Sequence, residues 1–286
     1  MSSLTEEILN FIYRTGRSPK KKLGQNFLID ANIPPKISDV ANVSSSDIIL
    51  EIGPGLGFLT QELLGKAKQV VAIEIDSYLY NELKRRFSTI QNLVLIHGDV
   101  LKLDLHGLIQ SSGINKVVAN LPYNISGPIL WRLLGYSQLQ SLVLMVQEEV
   151  AARLSASPSS KAYGSLTVWS GLHTECQIEL TLKPQQFFPA PKVNSSLVSL
   201  RTRSEIQPQF CVSDISLFRE VVKGCFHTRR KMLRNSVKAS NVQIDMKTLD
   251  LALKEVSIDS NRRGETLSIS EFVALTNAIH QLVHTT

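Results

Sequence analysis

Glu51-Ile52-Gly53-Pro54-Gly55-Leu56-Gly57 follows directly on an apolar run at 48–52. Glycines at such a place let the chain turn sharply and lie against a ligand with no Cβ in the way. A dinucleotide fingerprint wants GxGxxG. Here the third glycine comes one residue early and Phe58 fills the sixth position. That departure removes the cradle for a pyrophosphate and favours S-adenosyl-L-methionine (AdoMet), with Gly53 and Gly55 as cofactor-binding positions. Glu74 stands near the end of the next apolar run, about 20 residues on, where an acid accepts from both hydroxyls of a ribose. Asp99 follows a third run, in reach of an adenine amino group, and Asn120 ends a fourth. Each acid alone reads as a helix cap or a solvated turn. Four successive strand ends carrying Gly, Glu, Asp and Asn read as a nucleoside pocket.

Asn120-Leu121-Pro122-Tyr123 is the most specific stretch. An adenine 6-amino group is a poor nucleophile because its lone pair is delocalised into the ring. Two acceptors on its N–H groups favour a pyramidal nitrogen, and the Asn120 side-chain oxygen with the Leu121 carbonyl can be that pair. Pro122 fixes its own φ and biases Leu121 toward an extended conformation, which aims the carbonyl. Tyr123 offers a face for a base to stack on. Phe187 and Phe188, beside Pro189 and Pro191, offer a second stacking wall. The competing reading packs both rings into the core, and the sequence does not choose which one faces a base.

These residues need a scaffold that brings strand ends together. Apolar runs at 48–52, 69–75, 93–99, 116–120 and 141–147 alternate with helical patterns at 58–66, 78–87 and 148–154. That alternation predicts parallel strands with crossover helices. Runs at 177–182 and 195–203 have no long helix between them and are expected to close the sheet as an antiparallel hairpin; 155–165 reads as a loop. After about residue 204 the strand signal stops. Helical periodicity takes over, ending in a segment opened by a Ser268/Glu271 capping box. The expectation is an α/β fold: a Rossmann-like AdoMet-dependent methyltransferase sheet in a domain over 1–204, then a smaller all-helical domain over 205–286.

Charge is unevenly placed on this framework. The 286 residues carry 31 Lys and Arg against 25 Asp and Glu, a net +6. Residues 14–22 hold five bases and no acid, and residues 219–234 hold six bases and one acid. The rest, with 20 bases and 24 acids, is slightly acidic. Two basic windows on an acidic body point to a polyanion gripped at defined places, although a charge run alone reads equally well as a solvated face. Three Cys without CxxC spacing and scattered His argue against a disulfide framework and a zinc site. No run approaches the roughly 20 apolar residues of a membrane span. The first ten residues carry acids and no base, unlike a leader, so a cytoplasmic protein is the default expectation.

KKKLGQNFLID (20–30), EIGPGLGFLT (51–60), AIEID (72–76), HGDVL (97–101), NLPYNIS (120–126), QEEVAARL (147–154), FFPAPKVNSS (187–196), FHTRRKMLRNS (226–236) and RRGETLSISEF (262–272) run in this order nearly end to end. The ordered set resembles the bacterial small-subunit ribosomal RNA adenine dimethyltransferases. The resemblance implies AdoMet contacts at Asn26, Leu28, Gly53, Glu74, Asp99 and Asn120, with QNFLID closing over the cofactor. It implies dimethylation of two adjacent adenosines near the 3′ end of small-subunit RNA, in free RNA or in an immature small ribosomal subunit. Lys20, Lys21, Lys22 and Arg229, Arg230, Lys231 then become RNA-backbone contacts, and a monomer is the default. Two other readings stay open: an adenine methyltransferase acting on large-subunit RNA or DNA, and a non-enzymatic RNA-binding assembly factor on a methyltransferase fold.

Overall fold

The computed structural model describes residues 3–203 and 210–284. The chain divides into two compact units, one of Met1–Ala151 with Glu175–Thr202, the other of Ala152–Thr174 with Arg203–Thr286.

In the first unit the elements are α1 (Leu4–Thr15), β1 (Phe27–Leu28), α2 (Ile33–Val40), β2 (Ile48–Ile52), α3 (Phe58–Leu64), β3 (Gln69–Glu74), α4 (Ser77–Arg86), β4 (Leu93–His97), α5 (Leu105–Ser112), β5 (Lys116–Asn120), α6 (Ser126–Leu133), β6 (Ser141–Gln147) and the start of α7 (Glu148–Leu154). Seven strands form one sheet. Its parallel part pairs β4 with β3, β3 with β2, β2 with β5, and β5 with β6. The central strands are buried along nearly their whole length, as strands covered on both faces must be. The core joins Ile49, Val70, Val118 and Met145 of the sheet to Ile37 and Leu63 of the helices.

The sheet closes with β7 (Thr174–Leu182) and β9 (Ser195–Thr202). β9 lies antiparallel against β6, from Ser141 opposite Arg201 to Gln147 opposite Ser195, and β7 takes the edge beyond it. Between them β8 (Phe187–Phe188) leaves the sheet and pairs antiparallel with β1. Near the starts of the strands, Lys116 Nζ meets the buried Asp47 carboxylate at 2.9 Å. Burial works to raise Asp47, but hydrogen bonds from Lys116, Asn115 and Ser44 outweigh it and hold the acid below its ordinary range.

The second unit consists of the end of α7, α8 (Ser165–His173), α9 (Ile215–Phe226), α10 (Leu233–Lys238), α11 (Met246–Glu255) and α12 (Ile269–His284). The expected capping box is present: Glu271 N–H donates to Ser268 Oγ at 3.2 Å, and Ser268 N–H donates to Glu271 at 2.7 Å. The sequence predicts a single division at 204/205. Its position lies outside the described residues, and the segment 152–174, assigned to the first domain, belongs with the C-terminal helices. The buried Tyr163 hydroxyl donates to the Leu267 carbonyl at 2.7 Å, the Trp169 ring stands 6.5 Å from that of Phe218, and Gly171 lets Ile269 pack directly on its backbone.

Candidate active site

The parallel strands end on one cavity that is partly open to solvent. The Gly loop forms its floor. Gly53 and Gly55 have φ of 68° and 63°, in the left-handed region that disfavours side chains. A Cβ on Gly53 would lie 3.1 Å from Pro122 Cγ, and one on Gly55 would lie 3.1 Å from the Phe27 ring. The loop is therefore clasped between the NLPY turn and the N-terminal segment, and glycine is required twice for separate reasons.

Three carboxyls face this space: Glu51, Glu74 and Asp99. Glu74 is buried, with Oε2 accepting from Gly55 N–H at 3.1 Å and Oε1 from Asp76 N–H at 2.9 Å. Burial raises its carboxyl to about 6 even though these two backbone donors pull it down. Each oxygen keeps a lone pair for a ligand hydroxyl. Asp99 is half-buried and accepts from Leu101 N–H at 3.0 Å. Its loop is held by Arg132, which donates to the carbonyls of Val100 (2.9 Å) and Leu103 (2.8 Å). No short-range pattern announces that pair, since 32 residues separate Arg132 from Val100.

Asn120, Leu121, Pro122 and Tyr123 all border the cavity, as do Asn26 and Leu28. Asn120 Nδ2 donates to the Asn26 carbonyl at 3.2 Å, which leaves Oδ1 as an acceptor. The Tyr123 hydroxyl bonds Ser195 at 2.5 Å, fixing the ring. β1 and β8 pair Phe27 with Phe188 and Leu28 with Phe187, so two segments far apart in sequence form one ribbon. Of the two rings between which the sequence does not choose, Phe187 is 2% exposed and packs in the main core with Leu182 and Leu197. Phe188, on the opposite side of the ribbon, is half-buried.

A ribosomal RNA adenine dimethylase family model matches residues 16–280. The chain is similar to the ribosomal RNA small subunit methyltransferase A of Clostridium botulinum, 43% identical over 264 residues, covering 92% of this chain and 94% of that protein. It is similar to the protein of the same name from Geobacillus thermodenitrificans, 43% identical over 285 residues, covering 97% and 96%. Among solved structures, a dimethyladenosine transferase from Plasmodium falciparum superposes with a TM-score of 0.73 at 28% identity, covering 87% of this chain and 95% of that one.

The chain belongs to the ribosomal RNA adenine dimethylase family.

Members of the family are AdoMet-dependent methyltransferases, and the cavity fits that cofactor. The glycine loop leaves room for close approach, and Glu74 offers acceptors for a ribose. The cavity lining holds three carboxyls and no Lys, Arg or His among the described residues, which suits a cationic sulfonium. The buried Oε2 of Glu51 has no hydrogen-bond partner, the condition of an acceptor awaiting a ligand.

The basic residues divide into two kinds. Lys20 is paired: its ammonium lies 2.7 Å from the carboxylate of Asp76, and Gln25 Nε2 reaches the same oxygen at 3.2 Å. Burial works to raise Asp76, but hydrogen bonds from Lys20, the Tyr78 N–H and Gln25, with the Lys20 charge, together outweigh it and hold the acid low. Together these groups clasp segment 20–26 to the end of β3. Arg229 is also engaged, donating to the carbonyls of Lys161 (3.0 Å) and Tyr163 (3.3 Å) and pairing with Glu265 at 3.0 Å. Lys21, Lys22, Arg230 and Lys231 are exposed.

Proposed function

We propose that the protein dimethylates the 6-amino groups of two adjacent adenosines near the 3′ end of small-subunit ribosomal RNA, during small-subunit biogenesis. The reading is supported by the relatives named above. The observation that carries it is the anchored Asn120, whose Nδ2 is tied to the Asn26 carbonyl so that Oδ1 is left to accept at the cavity edge.

AdoMet supplies a methyl group on a sulfonium, already activated toward an amine attacking in line with the C–S bond. The chain's own part is to bind and orient. Glu74 and Asp99 hold the adenosyl part by its hydroxyls and amino group. Asn120 Oδ1 and the Leu121 carbonyl accept the two N–H groups of the target amine and turn its lone pair out of conjugation. Tyr123, fixed by Ser195, and Phe188 stack on the target base. Such alignment is worth about 7–11 kcal/mol in favourable cases. The base must leave its stack to arrive, at a few kcal/mol. The amine proton leaves through Asn120 Oδ1 or water, because the methylated nitrogen is strongly acidic. Exposed Lys21, Lys22, Arg230 and Lys231 meet the phosphate backbone, by charge and shape rather than by base edges.

The test is transfer of tritiated methyl groups to small ribosomal subunits that lack the modification, with the modified bases mapped. Label confined to two neighbouring adenosines near the 3′ end is expected. Label on large-subunit RNA or DNA instead, or AdoMet binding without transfer, would overturn the reading.

A further inference from the structure

Glu51 is the one carboxyl of the cavity that the mechanism above leaves without a role. It ends β2, immediately before the glycine loop, and only 1% of its surface is exposed. Its Oε2 has no hydrogen-bond partner. A buried, unsatisfied oxygen is unfavourable, and Glu51 is one of the residues that line the cavity.

The groups around it share one sign. Glu74 of β3 and the Thr60 hydroxyl of α3 act on it directly; Asp99, in the turn after β4, lines the same cavity, and Asn120 and Tyr123 add uncharged polar atoms to it. No cation among the described lining residues compensates Glu51. Burial pushes its carboxyl up to about 8, the Thr60 hydroxyl pulls it back in part, and the charge of Glu74 adds to the rise. The cofactor and its product differ in the sign-bearing atom: the donor is a sulfonium, whereas S-adenosylhomocysteine is a neutral thioether there.

We propose that Glu51 is protonated in the free protein and ionises when the cationic methyl donor enters, so that donor binding releases a proton to solvent and the pocket prefers the sulfonium over the spent thioether. The balance is simple: the Glu51 carboxylic acid becomes a carboxylate, its proton goes to the buffer, and no covalent bond of the cofactor changes. Once the methyl group has been transferred, the compensating charge is gone. Glu51 then takes a proton back, which loosens the product. This inference rests on AdoMet as the cofactor and goes beyond the methyl-transfer reading in assigning a residue and a proton.

Titration calorimetry of the full chain at pH near 7, in buffers of differing ionisation enthalpy, reads the proton count directly. At that pH Glu74 is already largely ionised, so its contribution is small. With AdoMet the protein is expected to release close to one proton per site, and with S-adenosylhomocysteine clearly less. In Glu51→Gln, which keeps the shape, the AdoMet release is expected to vanish. Its AdoMet Kd is expected to rise on the order of tenfold, as loss of a charge pairing worth one pKa unit would produce, while the S-adenosylhomocysteine Kd changes little. Equal proton release with the two ligands in the parent protein overturns the proposal, whether or not the variant folds. Release unchanged in Glu51→Gln overturns it too. Absence of any AdoMet binding would instead strike at the cofactor itself and at the methyl-transfer reading.

Discussion

Asn120 Nδ2 donates to the backbone carbonyl of Asn26 across 3.2 Å, joining residues 94 positions apart at the mouth of the cavity. One bond thereby fixes two things: which end of the Asn120 amide faces the target base, and where the N-terminal segment lies.

Asn120→Ala is expected to lower kcat for methyl transfer about 10²–10³-fold, the size seen when one preorganised polar group is removed from a reacting centre. Asn120→Asp loses the donor to Asn26 but keeps an acceptor, and is expected to fall between parent and alanine variant. Single-turnover methylation of small subunits checks both; parent-like rates in Asn120→Ala would remove the residue from the mechanism.

The two phenylalanines of β8 separate stability from activity. Phe187→Ala opens a cavity in the main core, with an expected loss of about 3–5 kcal/mol in denaturant unfolding. Phe188→Ala is expected to change stability less and to lower methylation without weakening AdoMet binding. The reverse pattern would place the stacking ring at Phe187.

The basic residues likewise fall into two groups. Replacing Lys21, Lys22, Arg230 and Lys231 by Ala is expected to weaken RNA binding and to flatten its salt slope, by up to about 0.7–0.9 for each phosphate no longer neutralised. Arg229→Ala is expected to act chiefly on stability, because its guanidinium stitches the 161–163 backbone to Glu265. RNA affinity as a function of salt, beside thermal melting, tells them apart.

Glu51 and Glu74 bind protons more tightly in the folded chain than their ordinary value near 4.5 allows, at about 8 and about 6. At these two sites the folded state thus carries more protons than the unfolded one, and their contribution to cofactor-free stability declines as pH rises from about 4.5 through about 8. Glu51→Gln removes part of that decline. Its melting temperature relative to the parent is expected to climb from pH 5 to about 8.5, and a pH-independent difference would contradict the assignment.

The sheet was legible because parallel strands buried on both faces read as apolar runs. Several helices were not, for identifiable reasons. α2 carries Pro34 and Pro35 near its start, and α6 carries Gly127 and Pro128 in its first turn. Such residues break a pattern on paper but are tolerated where the first N–H groups lack intrahelical partners anyway. α8 is buried at Leu166, Thr167, Val168, Trp169, Ser170 and Leu172, so it has little polar face to set a period. At the site, the strand-end residues Gly53, Glu74, Asp99 and Asn120 could be read from position alone. The Lys20–Asp76 clasp, the Arg132 hold on the Asp99 loop and the β1–β8 ribbon could not. Each joins residues far apart in sequence, and only the folded chain makes them neighbours.

The acid-lined cavity has a further consequence, concerning what it turns away. ATP and AMP carry the same adenosine that Glu74 and Asp99 are placed to hold, yet they bring phosphate charge into a space bordered by those two acids, with no Lys, Arg or His among its described lining residues. Like charges set side by side in a partly desolvated site cost several kcal/mol. The acids that welcome a sulfonium therefore also act as a filter against nucleotides. A large excess of ATP is expected to leave the AdoMet dissociation constant where it was.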